Sequence, residues 1–123
     1  MKARGVSVHE TGTVVTIQGP RFSTVAESRW YSSAGWDVIN MTQYPEAYLA
    51  RELEMCYCNI ALITDYDVGL EGQAGVEPVT HEGVIEVFNA NNARVRDAIL
   101  DMIATMPRTR GCACGQALRG ARL

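Results

Sequence analysis

The apolar run Cys56–Ile63 ends abruptly in two carboxylates, Asp65 and Asp67. The run predicts a buried strand over Met55–Asp65. A strand end sets polar side chains at the rim of a sheet, where open α/β folds bind ligands. Side chains two apart on a strand share a face, so Asp65 and Asp67 can aim at one small molecule. Two carboxylates suit a ligand with several N–H donors, or a proton transfer in which one carboxyl stays protonated. Taken alone, these residues more often mark an acidic turn after a buried strand.

Upstream, the β-branched Thr13–Gln18 predicts a strand that Gly19-Pro20 breaks. Thr24 and Glu27 have the spacing of a capping box, opening a helix from about Val25 to Ala34 that Gly35 ends. Asp37–Met41 predicts a second strand. Pro45 suits the first turn of a helix to about Glu54, with Leu49 and Leu53 facing inward at i, i+4. Val68–Pro78 is Gly-rich and polar, a loop. Thr80 can cap a long helix to about Met106, stopped by Pro107. Its apolar seam runs through Val84, Phe88, Val95, Ile99, Met102 and Met106, interrupted near Asn91-Asn92. Residues 111–123 show no clear element. The alternation of strand and helix indicates α/β architecture. Three strands with long crossovers make a small sheet, so the pattern implies an oligomer or part of a larger domain.

A chain of 123 residues, 47% hydrophobic and 20% charged, suffices for one domain with a modest core. A net charge of −3 with no basic run argues against nucleic acid or an anionic membrane as partner. No apolar stretch reaches the length of a membrane span. Met1-Lys2-Ala3-Arg4-Gly5 lacks the apolar core of a signal peptide, so the cytoplasm is the expected location. The four cysteines form two C-x-C pairs rather than the C-x-x-C of common zinc or redox motifs. Cys56 and Cys58, inside the predicted strand, read as small buried hydrophobes. Cys112 and Cys114, in the Gly-rich tail, read as exposed and open to a disulfide. A four-cysteine metal site combining both pairs is the remaining alternative, and no metal ligand set is assigned.

Three strand ends carry unusual polar groups: Gly19–Thr24, Asn40–Thr42 and Thr64–Asp67. Converging on one crevice, they would offer the Phe22 ring, the Ser23 and Thr42 hydroxyls, and the Asp65 and Asp67 acceptors. Such a set suits a flat, nitrogen-rich ligand with a polar appendage. Each residue also has a plainer use. Ser23 and Thr24 fit a helix cap, Met41 fits core packing, Thr42 fits the cap of the helix near Pro45, and Arg21 fits pairing with a structural acid.

Taken together, Thr16–Thr24 with Ala26-Glu27-Ser28, then Asp37–Thr42 with Pro45-Glu46, then Ile63–Asp67, closely resemble the 5′-methylthioadenosine phosphorylases. These belong to the trimeric purine nucleoside phosphorylase family. The resemblance runs from about Gly12 to Met106, with residues 107–123 as a tail. It implies the C-terminal part of a nucleoside phosphorylase domain, with a mixed sheet flanked by helices, spanning residues 1–123. The implied reaction is phosphate-dependent cleavage of methylthioadenosine to adenine and 5-methylthioribose 1-phosphate, a pentosyl transfer in purine and methionine salvage. Inorganic phosphate is the co-substrate, and no cofactor is implied.

By this likeness Phe22 and Ser23 border the purine, Met41 packs against the ribose and Thr42 helps bind phosphate. Asp65 and Asp67 take the N7 and 6-amino edge as catalytic groups. Adenine leaves poorly as an anion, and a carboxyl that keeps its proton away from water relieves the charge at N7. An acceptor-only carboxylate suits a 6-amino donor. Relatives acting on 6-oxopurines tend to carry asparagine at the first position, so Asp65 argues for adenine. Phosphate attack needs positioning and charge stabilisation rather than a covalent enzyme intermediate.

The sequence also departs from the family. Its chains are roughly twice as long, and the first Gly-rich phosphate loop, an Arg-His pair and another phosphate-binding threonine have no counterpart here. Val25 stands where relatives commonly have arginine. The C-x-C tail resembles those of some microbial members, in which the pair can form disulfides. The expectation is an inactive fragment of a homotrimeric enzyme. Alternatives are another purine nucleoside or methylthioinosine phosphorylase, or a non-catalytic purine-binding remnant.

Overall fold

The computed structural model describes residues 5–70, 72, 74–76 and 78–121. The Met1–Arg4 part of the N-terminal reading lies outside the described residues, as do positions 71, 73 and 77 of the predicted loop. The first strand, β1, spans Val14–Thr16, and the helix α1 spans Val25–Ser33. The second strand, β2 (Val38–Asn40), lies parallel to β1, with Val14 opposite Val38 and Thr16 opposite Asn40. Strand, helix and parallel strand form one βαβ unit, so the α/β expectation holds. Beyond the ladder, the Ile17 N–H donates to the Asn40 carbonyl at 2.9 Å and the Asp37 N–H to the Thr13 carbonyl at 2.9 Å.

Local chemistry explains why α1 starts and stops where it does. The Thr24 hydroxyl accepts from the Glu27 N–H at 3.2 Å, while the Glu27 carboxylate accepts from the Thr24 N–H at 2.8 Å. This is the capping box expected from the sequence. At the other end Gly35 takes φ +72°, and the Trp36 N–H reaches back to the Tyr31 carbonyl at 3.1 Å. A left-handed residue at this position suits glycine.

The next helix, α2, spans Gln43–Glu52 and begins two residues earlier than Pro45. Its second residue, Tyr44, is non-helical (φ −98°, ψ 131°), as expected of a residue preceding proline. Thr42 makes no capping hydrogen bond with its side chain, so the capping role considered for it is not used. The long helix α3 runs over His81–Thr105, capped by the Thr80 hydroxyl, which accepts from the Gly83 N–H at 3.1 Å. It passes unbroken through Asn91, whose amide donates to the Val87 carbonyl one turn back at 2.9 Å. One-turn 3-10 helices occupy Val68–Leu70 and Ala113–Gln116.

Three expectations need correction. Met55–Asp65 forms no strand. No backbone N–H from Cys56 to Ile63 donates a hydrogen bond to a described residue, and Cys56 and Cys58 are exposed thiols rather than buried hydrophobes. Leu49 and Leu53 do not face a core; they are 52% and 71% exposed. In the α3 seam only Val84, Val95 and Met102 are half-buried, while Phe88, Ile99 and Met106 are exposed. The physical reason is common to all three. An apolar pattern states what a segment would bury, and burial requires a neighbour that this chain does not supply. Among the described residues the buried apolar core is Ile17, Tyr31 and Ala98.

Candidate functional site

The C-terminal ends of β1 and β2 open onto a cleft of about 320 Å³. Phe22 and Ser23, from the link between β1 and α1, form one side, and Met41 follows β2. Asp65 and Asp67 reach the same cleft from the unpaired segment. The structure therefore brings together five residues singled out by the sequence: Phe22, Ser23, Met41, Asp65 and Asp67. It does so without the strand that was expected to carry the acidic pair. Thr42 is not among them. It borders a second, more open hollow with Glu46 and Tyr57, where the Tyr57 hydroxyl donates to Glu46 at 2.8 Å.

Several contacts hold the acidic segment in place. The Gly69 N–H donates to Ser28 Oγ of α1 at 2.9 Å, and the Leu70 N–H donates to the Asp67 carbonyl at 3.0 Å. Ser28 is only 2% exposed, so this bond is sheltered from water. A Cβ at position 69 would collide with Ser28 Oγ, so glycine is required for the approach. The Thr64 hydroxyl donates to Asp65 Oδ1 at 2.6 Å, which orients that carboxylate.

The opposite lip is fixed by Arg21. Its guanidinium grips both oxygens of Glu27 at 2.7 and 2.8 Å and donates to the Phe22 carbonyl at 3.1 Å. Those hydrogen bonds, with help from the Thr24 N–H and hydroxyl, hold the Glu27 carboxyl down at about 2. Arg21 is thus engaged in structure, as one reading of the sequence proposed.

Two polar atoms in the cleft stand out. Ser23 Oγ and Asp67 Oδ2 are buried and lack a hydrogen-bond partner among the described residues. A buried carboxylate oxygen without a donor is costly, and a ligand N–H removes that cost. The walls are Phe22, Met41, Tyr31 and Trp36, with the last two rings stacked at 5.8 Å. No Arg, Lys or His lines the cleft among the described residues. The surface therefore fits a flat, largely apolar ring system bearing N–H donors, and offers no cationic seat for an anion.

Sequence reasoning missed Ser28, Tyr31 and Trp36. The i, i+3 spacing of Ser28 and Tyr31 was the available signal, since both lie on the buried face of α1. A polar network below the cleft was also missed. The Thr16 hydroxyl donates to Asn40 Oδ1 at 3.2 Å, and Gln43 Oε1 receives the Asn40 and Asn59 amides at 3.2 and 2.6 Å.

The fold agrees with what this chain is similar to. A purine nucleoside phosphorylase of Streptomyces coelicolor is 50% identical over 111 residues, covering 89% of this chain and 39% of that protein. An S-methyl-5′-thioadenosine phosphorylase of Thermofilum pendens is 46% identical over 114 residues, covering 93% of this chain and 42% of the relative. A mutant adenosine/methylthioadenosine phosphorylase from Schistosoma mansoni, solved in complex with adenine, superposes with a TM-score of 0.78 at 35% identity. That match covers 93% of this chain and 41% of the solved one. The chain thus spans about two fifths of the length of the curated relatives it matches. A family model described as the phosphorylase superfamily matches residues 1–104. The chain belongs to the phosphorylase superfamily.

Proposed function

We propose that this chain is the C-terminal, purine-recognising part of a phosphorylase acting on S-methyl-5′-thioadenosine. The reaction is phosphorolysis to adenine and 5-methylthioribose 1-phosphate, and it serves purine and methionine salvage. The observation that carries this reading is that Asp67 Oδ2 and Ser23 Oγ, both buried and without a partner among the described residues, belong to one cleft walled by aromatic rings. Asp67 and Asp65 meet the N7 and 6-amino edge of adenine, and Asp67 assists departure of the base at N7. Phe22 and Ser23 border the base and Met41 the ribose. Thr42, in the neighbouring hollow, takes part in phosphate binding.

Among the described residues no Arg, Lys or His lines the cleft, which supports an isolated chain without activity, its phosphate groups coming from elsewhere in the assembled enzyme. A homotrimer is the proposed assembly, and the exposed apolar face of α2 supports self-association. The proposed location is the cytoplasm. No helix among the described residues is long and apolar enough to cross a membrane.

Calorimetry with adenine tests the recognition half. The chain should bind adenine, and Asp67→Asn should weaken binding by about tenfold. Absence of adenine binding, or full affinity in the variant, would overturn the reading. Adenine release from methylthioadenosine and phosphate by the pure chain would overturn its inactivity. A second reading, a purine nucleoside phosphorylase of other specificity, is favoured by the name of the Streptomyces relative. Once a complementary N-terminal polypeptide restores turnover, Asp65→Asn decides. Loss of preference for methylthioadenosine over methylthioinosine supports the adenine assignment, and an unchanged ratio removes it.

A further inference from the structure

Cys56 and Cys112 are distant in sequence, yet their Sγ atoms lie 3.3 Å apart. Cys114 joins them, and all three Sγ atoms fall within 4.8 Å of one another. Independent contacts build this meeting point. Glu54 turns the chain with φ 53°, just after α2. Its carbonyl accepts from Arg110 Nη1 at 2.7 Å and its carboxylate from the Leu118 N–H at 3.2 Å. Those two bonds lie on either side of Cys112-Ala113-Cys114 in the tail and hold it against the segment that carries Cys56. The cluster lies outside the cleft, and the purine chemistry makes no use of it.

We propose that the reduced chain binds one thiophilic cation, with Zn²⁺ as the type, through Cys56, Cys112 and Cys114. This assigns a metal site where the sequence reading assigned none. Three thiolates are a soft donor set that favours Zn²⁺ or Cu⁺ over Mg²⁺ or Ca²⁺. Tetrahedral zinc with Zn–S near 2.3 Å places sulfurs about 3.8 Å apart, so the Cys56–Cys112 pair, at 3.3 Å, opens slightly and no gap closes by more than about 1 Å. Cys58 stays outside the set, its thiol directed to the Asn59 carbonyl at 3.8 Å. Two of the three ligands are exposed, which leaves the fourth position open to water. The thiols give up their protons to solvent on binding. Three thiolates and a dication leave one net negative charge. Arg110 is placed to offset it, since a side chain at Gly115 would come within 3.3 Å of its Nη1. The ion would fasten the tail to the turn after α2.

The test uses the 123-residue chain, reduced with a phosphine under argon. Titration with Co²⁺ should reach one equivalent with a thiolate-to-metal charge-transfer band, and Zn²⁺ should displace it. Cys56→Ser, Cys112→Ser and Cys114→Ser should each weaken binding by about tenfold or more. Cys58→Ser should bind as the parent does. As a second measurement, zinc should cut the rapidly reacting thiols from four to one. Absence of the band, equal loss in Cys58→Ser, or four thiols reacting at an unchanged rate overturns the proposal. So does rapid conversion of the chain to a disulfide that zinc does not slow, once the phosphine is removed and oxidised glutathione is added as the oxidant. Adenine binding is read separately, so failure here leaves the purine reading standing.

Discussion

Residues 13–41 and residues 55–67 carry similar apolar, strand-like sequence, and they end in different states. The first stretch contains its own partner: β1 meets β2, and α1 crosses between them under a complete capping box. The second meets no strand, and its amides from Cys56 to Ile63 donate to no described residue. Yet both supply the cleft. The first gives it a rigid lip through the Arg21–Glu27 pair. The second reaches it through the Thr64 hydroxyl and the Gly69–Ser28 bond. A site can thus be assembled from one well-paired unit and one segment fastened at a few points.

Hydrogen exchange should give the largest contrast. The Ile17 and Val38 amides, which are bonded to Asn40 and Thr13, should be protected by about two orders of magnitude more than those of Cys56–Ile63. Equal protection would break the comparison. Adding an N-terminal polypeptide that restores turnover should slow exchange selectively across 56–63. Next in size is Gly69→Ala. Its new methyl meets Ser28 Oγ, and overpacking of this kind costs about 1–3 kcal/mol. Urea unfolding should register the loss, and adenine affinity should fall further than in a control of equal stability. Unchanged affinity would mean that the Ser28 contact does not set the acidic segment.

Thr24→Ala acts on the paired unit. It removes the helix cap and should cost about 1 kcal/mol in urea unfolding, with a smaller change in adenine affinity than Gly69→Ala gives. The smallest effect concerns Glu27, whose carboxyl is lowered to about 2 from the ordinary 4.5. A lowered pKa adds stability that is complete above the ordinary value and is lost as pH falls toward about 2. Stability differences between about pH 6 and about pH 3 should therefore shrink in Glu27→Gln. The pair is exposed and screened, so the change should be modest and should diminish further in high salt. A pH profile identical to the parent's would remove Glu27 from the account.

What could be read from sequence follows the same division. The Thr24–Glu27 box, the Gly35 stop and the Thr80 cap were legible because each is settled within a few residues. The state of 55–65, and of Leu49 and Leu53, was not, because burial depends on what lies opposite. In the cleft, Phe22, Ser23, Asp65 and Asp67 were legible as polar or aromatic residues at predicted strand ends, and Met41 only through the family resemblance. Ser28 was not, since its one signal, the i, i+3 spacing to Tyr31, does not by itself distinguish a buried anchor from a solvated face. Thr42 was grouped with Met41 by adjacency, although one residue further along the chain the side chain borders another hollow.

Both tryptophans of the chain belong to one ring cluster, with Trp30 and Trp36 centred 5.6 Å apart and Trp36 on the cleft wall. The protein consequently carries a built-in optical reporter. A purine settling beside Trp36 should quench or shift its emission, and energy passing from Trp30 should amplify the signal. No dye or label is then needed, and the light from two indoles can follow cleft occupancy in a stopped-flow cuvette.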